Sequence, residues 1–244
     1  MRDRALKPRL SVIADAIAEY GRQETIYDIG TDHAYMAIGM LQRELCDAVV
    51  ATDARRGPLK KAERNVLARG LGGRIALGCG DGFAGIPDYR PGRVAVLSGM
   101  GGIAIAQIIL DGGDMAKSAS LLALQPMNNH ALLRERLNGG GYVILREVHA
   151  LEDRRAYVAM LCKWAGAREP YTRLDYLIGK RAGDRFAPAY AAYIKNVRAR
   201  LKDRLDGLMA PDCQAGGAEA ESAESLLREL DGAIAAAGID INAV

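Results

Sequence analysis

The chain has 244 residues, half of them apolar, with a formal net charge of +3 and four cysteines. That length fits one large domain or a domain with an appendage, and the apolar half is enough to bury a sizeable core. No run of about eighteen apolar residues offers a membrane span. The cysteines (Cys46, Cys79, Cys162 and Cys213) are far apart and form no C-x-x-C pair, which argues against a zinc site or a disulfide framework. The opening "MRDRALKPRL" lacks the apolar stretch and cleavage site of a signal peptide, so the expected location is the cytoplasm.

In chain order, the first predicted element is a helix. Within "ALKPRLSVIADAIAEYG" apolar residues fall at 10, 13, 17 and 20, a stripe suited to lying on a sheet. Apolar, β-branched runs then alternate with helical patterns. The strands are predicted at 25–30, 48–53, 74–80, 93–99 and 121–126. The helices between them are predicted at Ala34 to Leu45, Pro58 to Arg69, Ile103 to Leu110 and Asn129 to Leu137, with Pro58 fitting a first turn that needs no N–H. Such alternation predicts a doubly wound parallel sheet.

The pattern then changes. "YVILREVHALE" (142–152) and "RAYVAMLCKWAG" (155–166) are joined by a tight turn at Asp153 and Arg154, and only an antiparallel pair can be joined so briefly. From Ala187 the spacing is helical, with Tyr190, Ile194, Val197, Leu201, Leu205 and Leu208 on one face. "MAPDCQAGGAE" breaks that helix through Pro211 and two glycines, and a second follows with Leu226, Leu227, Leu230 and Ile234 on one face. The expected organisation is a sheet domain over 1–166 and a helical hairpin over 167–244, packed on itself or docked to the sheet.

Chemistry is expected at the carboxyl ends of the strands, where such sheets bind ligands. The first turn, "DIGTDHAY", holds Asp28, Gly30, Asp32 and His33. A single glycine lets a ligand approach the backbone, but two carboxylates repel a diphosphate and suit a cationic amine, such as the methionine part of S-adenosylmethionine. Asp53, about twenty residues on, can accept ribose hydroxyls. Asp81, between Gly80 and Gly82 in "GCGDG", can accept an adenine amine; these two acids would serve a nicotinamide dinucleotide equally well. Each acid taken alone is as readily a turn or a cap, and His33 reads first as a cap or packing residue. "LSGMGG" ends the fourth strand and offers Gly99, Met100, Gly101 and Gly102 as a floor for the target group. "LQPMNNH" ends the fifth with Gln125, Pro126 and Asn128, the last equally readable as a helix cap.

Basic residues cluster between Arg168 and Arg204, among them Arg185, Lys195, Arg198, Arg200 and Lys202, and again at Arg55, Arg56 and Lys60. With Arg9 near the N-terminus they form a candidate RNA surface. A charged helix face is otherwise merely solvated, and the acidic last helix can pair with the basic one and hide part of its charge.

These motifs, in this order, resemble one family. "LKPRL", "DIGTDHAY", the acid followed by "GP" (Asp53 to Pro58), "GDG", "SGMGG" and "LQP" are similar to the bacterial tRNA (adenine-22-N1)-methyltransferases, the TrmK family, from about Leu6 to Trp164. The resemblance implies a class I methyltransferase (Rossmann-like) fold, S-adenosylmethionine as donor and N1 of a tRNA adenine as acceptor. It places the cofactor at Asp28, Gly30, Asp32 and His33, the ribose at Asp53, and the adenine at Asp81 and Gly82. The catalytic face falls on Gly99 to Gly102, Gln125 and Pro126. The chain departs from the family at Met127, which stands where an Asn often follows "LQP", and at Val158, which replaces an acid of the final hairpin. Direct transfer to N1 needs no metal and no general base, and backbone carbonyls of Gly99 to Gly102 with Gln125 or Asn128 are the expected acceptors for the adenine amine. A monomer acting on tRNA is expected. The competing readings are a small-molecule methyltransferase on the same sheet and a non-catalytic RNA-binding protein.

Overall fold

The structure, a computed structural model, describes residues 6–183, 187–210 and 217–242. Its centre is a 7-stranded sheet built from β1 (Gln23–Ile29), β2 (Cys46–Asp53), β3 (Ile75–Cys79), β4 (Val94–Met100), β5 (Leu121–Pro126), β6 (Tyr142–Glu152) and β7 (Arg155–Trp164). The strand order is β3-β2-β1-β4-β5-β7-β6. All pairs from β3 to β5 are parallel, and β7 pairs antiparallel with both β5 and β6. Two reversals restore direction, so β6 runs the same way as β5 and its last residue, Glu152, lies on the carboxyl edge with the turns after β1, β4 and β5. The strand order reverses between β1 and β4, the place where open α/β sheets bind ligands.

Every strand expected from the sequence is present within about two residues, because runs such as Val94–Leu97 and Leu121–Leu124 are apolar on both faces and both faces are covered. On one face lie α1 (Pro8–Ala18), α2 (Tyr35–Gln42) and α3 (Arg56–Leu67), which enclose a core containing Ile13, Ile17, Ile26, Met40 and Val96. On the other lie α4 (Gly102–Lys117) and α5 (His130–Gly139), over Tyr27, Leu97, Ile105, Leu122 and Leu133. Two expectations shift. Tyr20 falls beyond the end of α1 and is exposed, since only Leu10, Ile13 and Ile17 of the expected stripe reach the sheet. α4 passes its expected end at Leu110 and reaches Lys117, with a kink at Gly113 (φ 49°, ψ −122°) that absorbs the glycine pair.

The C-terminal helices are docked to the sheet. α6 (Arg173–Ile178), which periodicity alone did not reveal, is closed by a capping box between Thr172 and Asp175. α7 (Pro188–Leu208) lays Tyr190, Tyr193 and Ile194 on β6 and β7, and α8 (Gly217–Ala237) covers α7 through Ala223 and Leu230. One core thus runs from the sheet across the expected boundary near 166. A buried ion pair fastens it. Arg134 of α5 and Glu147 of β6 are both fully buried, joined at 2.7 and 3.2 Å. Arg134 also donates to the carbonyls of Tyr176 and Leu177 and to the Tyr193 hydroxyl, so one guanidinium ties α5, α6, α7 and the sheet. The break between α7 and α8, with Pro211 and Cys213, and Arg185 lie outside the described residues.

Candidate cofactor pocket and catalytic edge

The first turn is held by its neighbour strand. The N–H groups of Gly30 and Thr31 both donate to the Thr52 carbonyl at 2.8 Å. Gly30 has φ +79°, a conformation that favours glycine, and a Cβ there would stand 2.4 Å from the movable tip of the Met100 side chain. Asp32 (φ 44°) and Ala34 (φ 58°) are left-handed without being glycine. Conformations of that kind cost about 1–2 kcal/mol each and concentrate at functional sites.

Asp28 is 2% exposed. Its carboxylate accepts the Thr31 hydroxyl at 2.6 Å and the N–H of Ala37, an orphan donor in the first turn of α2. Burial pushes its pKa up from 3.8 to about 6, with the two hydrogen bonds pulling the other way. Asp32 is more open and meets His33 Nε2 at 3.3 Å. The His33 ring stacks on Tyr35 with centroids 5.4 Å apart, and its carbonyl accepts Asn65 Nδ2 of α3. α2 begins without a side-chain cap, so His33 is a wall residue rather than a helix cap.

A cavity of about 320 Å³ opens over this turn, lined among others by Asp28, Gly30, Asp32, His33, Gly99 and Arg9. It gathers the four residues expected around the cofactor's amine. Asp53, Asp81 and Gly82 are not in its lining but occupy the adjoining strand ends, where the Gly80 N–H meets the Asp53 carbonyl at 3.2 Å. Asp53 is buried, and Oδ1 accepts the Arg55 N–H at 2.8 Å and faces Arg55 Nε at 3.6 Å. Half of that carboxylate therefore does serve a turn, which leaves Oδ2 for a ligand. Asp81 is exposed and makes no capping bond, although it stands before the single 3-10 turn Gly82–Gly85. Gly82 has φ +52° and packs against Ile108.

At the next two strand ends the glycines bring two turns together. The Gly99 N–H donates to Gln125 Oε1 at 3.3 Å, the Met127 N–H to the Met100 carbonyl at 2.9 Å, and the Gly102 N–H to the Asn128 carbonyl at 3.1 Å. A Cβ at Gly101 would sit 2.9 Å from Asn128 Oδ1, and one at Gly102 would sit 2.8 Å from two backbone oxygens. This corrects part of the expectation. Gln125 and Pro126 are buried, and the Gln125 amide donates to the Pro126 carbonyl, so Gln125 braces the turn and does not face a substrate. The carbonyls of Met100 and Gly101 already accept bonds, from Met127 and Ile105. Asn128 is exposed and is not the cap of α5, whose capping position belongs to Asn129.

Of the expected RNA residues, Arg55, Arg56, Lys60, Lys195 and Lys202 are exposed on α7 or around the start of α3. Two are placed otherwise. Arg198 is clasped by Asp231 of α8 at 2.6 and 3.0 Å, the pairing by which the acidic helix masks the basic one. Arg9 lines the cavity, held by Glu152. Glu152 itself escaped the sequence reading. The rule that flagged Asp53 and Asp81, an acid closing a strand at the ligand edge, applies to it once β6 is known to run parallel to β5.

The comparisons agree with this geometry. A family model described as "Methyltransferase domain" matches residues 6–160. The tRNA (adenine(22)-N(1))-methyltransferase of Bacillus subtilis is 32% identical over 170 residues, 69% of each chain. In fold, TrmK of M. capricolum in complex with S-adenosyl-homocysteine superposes with a TM-score of 0.75 at 22% identity, covering 95% of this chain and 98% of that one. The B. subtilis m1A22 tRNA methyltransferase TrmK gives 0.71 at 23% identity, covering 96% and 99%. With the sheet order, the acid-lined first turn and these matches in hand, the chain belongs to the TrmK family of tRNA (adenine(22)-N(1))-methyltransferases.

Proposed function

We propose that this protein methylates N1 of an adenine in tRNA, the nucleotide at position 22, with S-adenosylmethionine as donor. The observation that carries the reading is the cavity at the strand-order reversal: two carboxylates face a space that reaches Gly99 at the β4 turn, in a chain of this family.

The residues present fit the donor. Gly30 brings bare backbone to the cavity wall, and Asp28 and Asp32 offer negative charge to an ammonium group without a glycine-rich loop for diphosphate. In this reading Asp53 Oδ2 holds the ribose, and Asp81 with Gly82 the adenine amine. When bound, S-adenosylmethionine supplies an electrophilic methyl group on a sulfonium, which an in-plane nitrogen lone pair can take without prior deprotonation. The chain's own work is alignment and charge. The braced turns of β4 and β5 fix a rigid rim. Asn128, the exposed polar side chain of that rim, accepts from the exocyclic amine of the target adenine as its ring becomes cationic. His33 and Tyr35 form a stacked wall for a displaced base, whose extrusion from an RNA stack costs a few kcal/mol. Arg55, Arg56 and Lys60, with Lys195 and Lys202 on α7, follow the phosphates. The protein acts as a monomer in the cytoplasm; no helix of the described residues is long and apolar enough to cross a membrane.

The test is transfer of a labelled methyl group to unmodified tRNA transcripts, with mapping of the modified base. The expected product is N1-methyladenine at position 22, lost when that base is replaced by guanine and when the RNA is digested first. Activity that survives digestion would point to a small-molecule acceptor instead.

A further inference from the structure

The carboxyl edge of the sheet carries two large apolar side chains that the function described above leaves unused. Met127, just past β5, is 39% exposed, and Ile103, the second residue of α4, is 58% exposed. The turns of β4 and β5 bring them together. The Met127 N–H donates to the Met100 carbonyl at 2.9 Å, and the Gly102 N–H, one residue before Ile103, donates to the Asn128 carbonyl at 3.1 Å. Ile105, two residues on, is buried in the core, so helical geometry turns Ile103 away from it toward solvent.

Scattered apolar side chains on a surface are ordinary. These two differ in being fixed. Met127 is held at its backbone by Met100 and at its Sδ by the buried Gln125 amide, whose Nε2 lies at 3.6 Å. Gln125 is itself set by the Gly99 N–H and the Pro126 carbonyl. Ile103 is β-branched and helical, which leaves its χ1 one strongly preferred well. Charge is missing around them: residues 94–110 and 121–133 include no Lys, Arg, Asp or Glu. This part of the edge therefore offers nothing to a phosphate and a stiff apolar step to a base. The step lies on the α4 side of the edge, and the stacked His33–Tyr35 wall lies on the α2 side.

We infer that Met127 and Ile103 form an apolar wedge that enters the RNA stack beside the target adenine and fills the gap its base leaves. Met and Ile are among the side chains that proteins insert between base steps, and they do so without reading the identity of the neighbouring base. The wedge keeps the stack from closing again while N1 is turned to the donor, and it offsets part of the cost of extrusion. The inference rests on the tRNA reading above and adds to it the side chains that open the RNA.

The test is single-turnover methyl transfer to two tRNA transcripts. One is unmodified; the other carries abasic nucleotides on both sides of the target adenine, so that its stack is already broken. M127A and I103A should each lower the rate on the unmodified transcript by about tenfold, and leave the rate on the abasic transcript within about threefold of wild type. M127L keeps an apolar tip and should recover most of the loss. A transcript with 2-aminopurine at the target position reads the opening without transfer: it should brighten on binding wild type and much less on binding the double variant M127A/I103A. S-adenosylhomocysteine affinity, by calorimetry, should be the same in every variant. Equal losses on both transcripts would overturn the wedge in favour of a role in aligning the rim. Wild-type rates on both transcripts, or undiminished brightening in the double variant, would overturn it outright. A wild-type dimer in sedimentation that the alanine variants disperse would overturn it in favour of an interface between copies of the chain. Wild type that methylates neither transcript would overturn the tRNA reading itself.

Discussion

Replacing Asp28 by Asn separates what this residue does for the fold from what it does for the ligand. Burial raises its pKa from 3.8 to about 6. At about 1.4 kcal/mol per unit, ionising it inside the fold costs about 3 kcal/mol more than ionising it in the unfolded chain. The sign follows from linkage. The folded pKa lies above the unfolded one, so the stabilisation due to the bound proton is complete below 3.8 and lost as pH rises through about 6. Asn carries no charge at either end of that window. It keeps an acceptor for the Thr31 hydroxyl but turns a donor toward the Ala37 N–H, a loss of about 1 kcal/mol. Asp28→Asn should therefore be more stable than wild type by about 2 kcal/mol at pH 8 and slightly less stable at pH 4. Urea unfolding at the two pH values reads this directly. The same variant should bind S-adenosylhomocysteine at least about tenfold more weakly, because an ion pair with the amine is gone. Wild-type affinity should fall by about tenfold per unit below pH 6, as the carboxylate is protonated. An Asn variant less stable than wild type at pH 8, with unaltered ligand affinity, would show that Asp28 serves the turn and not the ligand.

Three further outcomes are expected. Glu147→Ala strands the Arg134 charge in the core and should cost about 3–5 kcal/mol in thermal or chemical unfolding, while the double change Arg134→Met with Glu147→Leu should recover only part of it, because the Tyr176 and Leu177 carbonyls lose their donor. Gly30→Ala forces φ +79° on a residue with a Cβ and drives that atom into Met100, so stability should fall by about 1–2 kcal/mol and S-adenosylhomocysteine binding with it, both measurable by thermal shift with and without ligand. Lys60→Glu and Lys202→Glu should lower tRNA affinity in filter binding and flatten its salt dependence by about one charge each or more, without touching ligand affinity. By contrast Arg198→Glu should act through stability, since it sets two acids against each other between α7 and α8.

Much of this architecture was legible from residue patterns because the strands are short apolar runs punctuated by glycine and aspartate. Val94–Leu97 and Leu121–Leu124 can hardly be anything but buried strands. The first turn was equally plain, since Asp28, Gly30, Asp32 and His33 lie close together in sequence and meet at one cavity. Roles that depend on a distant partner were not legible. Gln125 looked like a substrate contact until the Gly99 N–H was found on its side chain. Arg198 looked like an RNA contact until Asp231, 33 residues away, was found across from it. Arg9 and Glu152 are 143 residues apart, and nothing local to either reveals that they share a wall. α6 is a six-residue helix, too short for periodicity to register, and only its capping box signals it.

The buried Arg134–Glu147 pair has a consequence for how the C-terminal helices stay attached. One guanidinium grips three helices and a strand at once. Peeling α6 or α7 off the sheet would leave that charge, or the carbonyls it satisfies, without partners in the core, so these helices come away together or not at all.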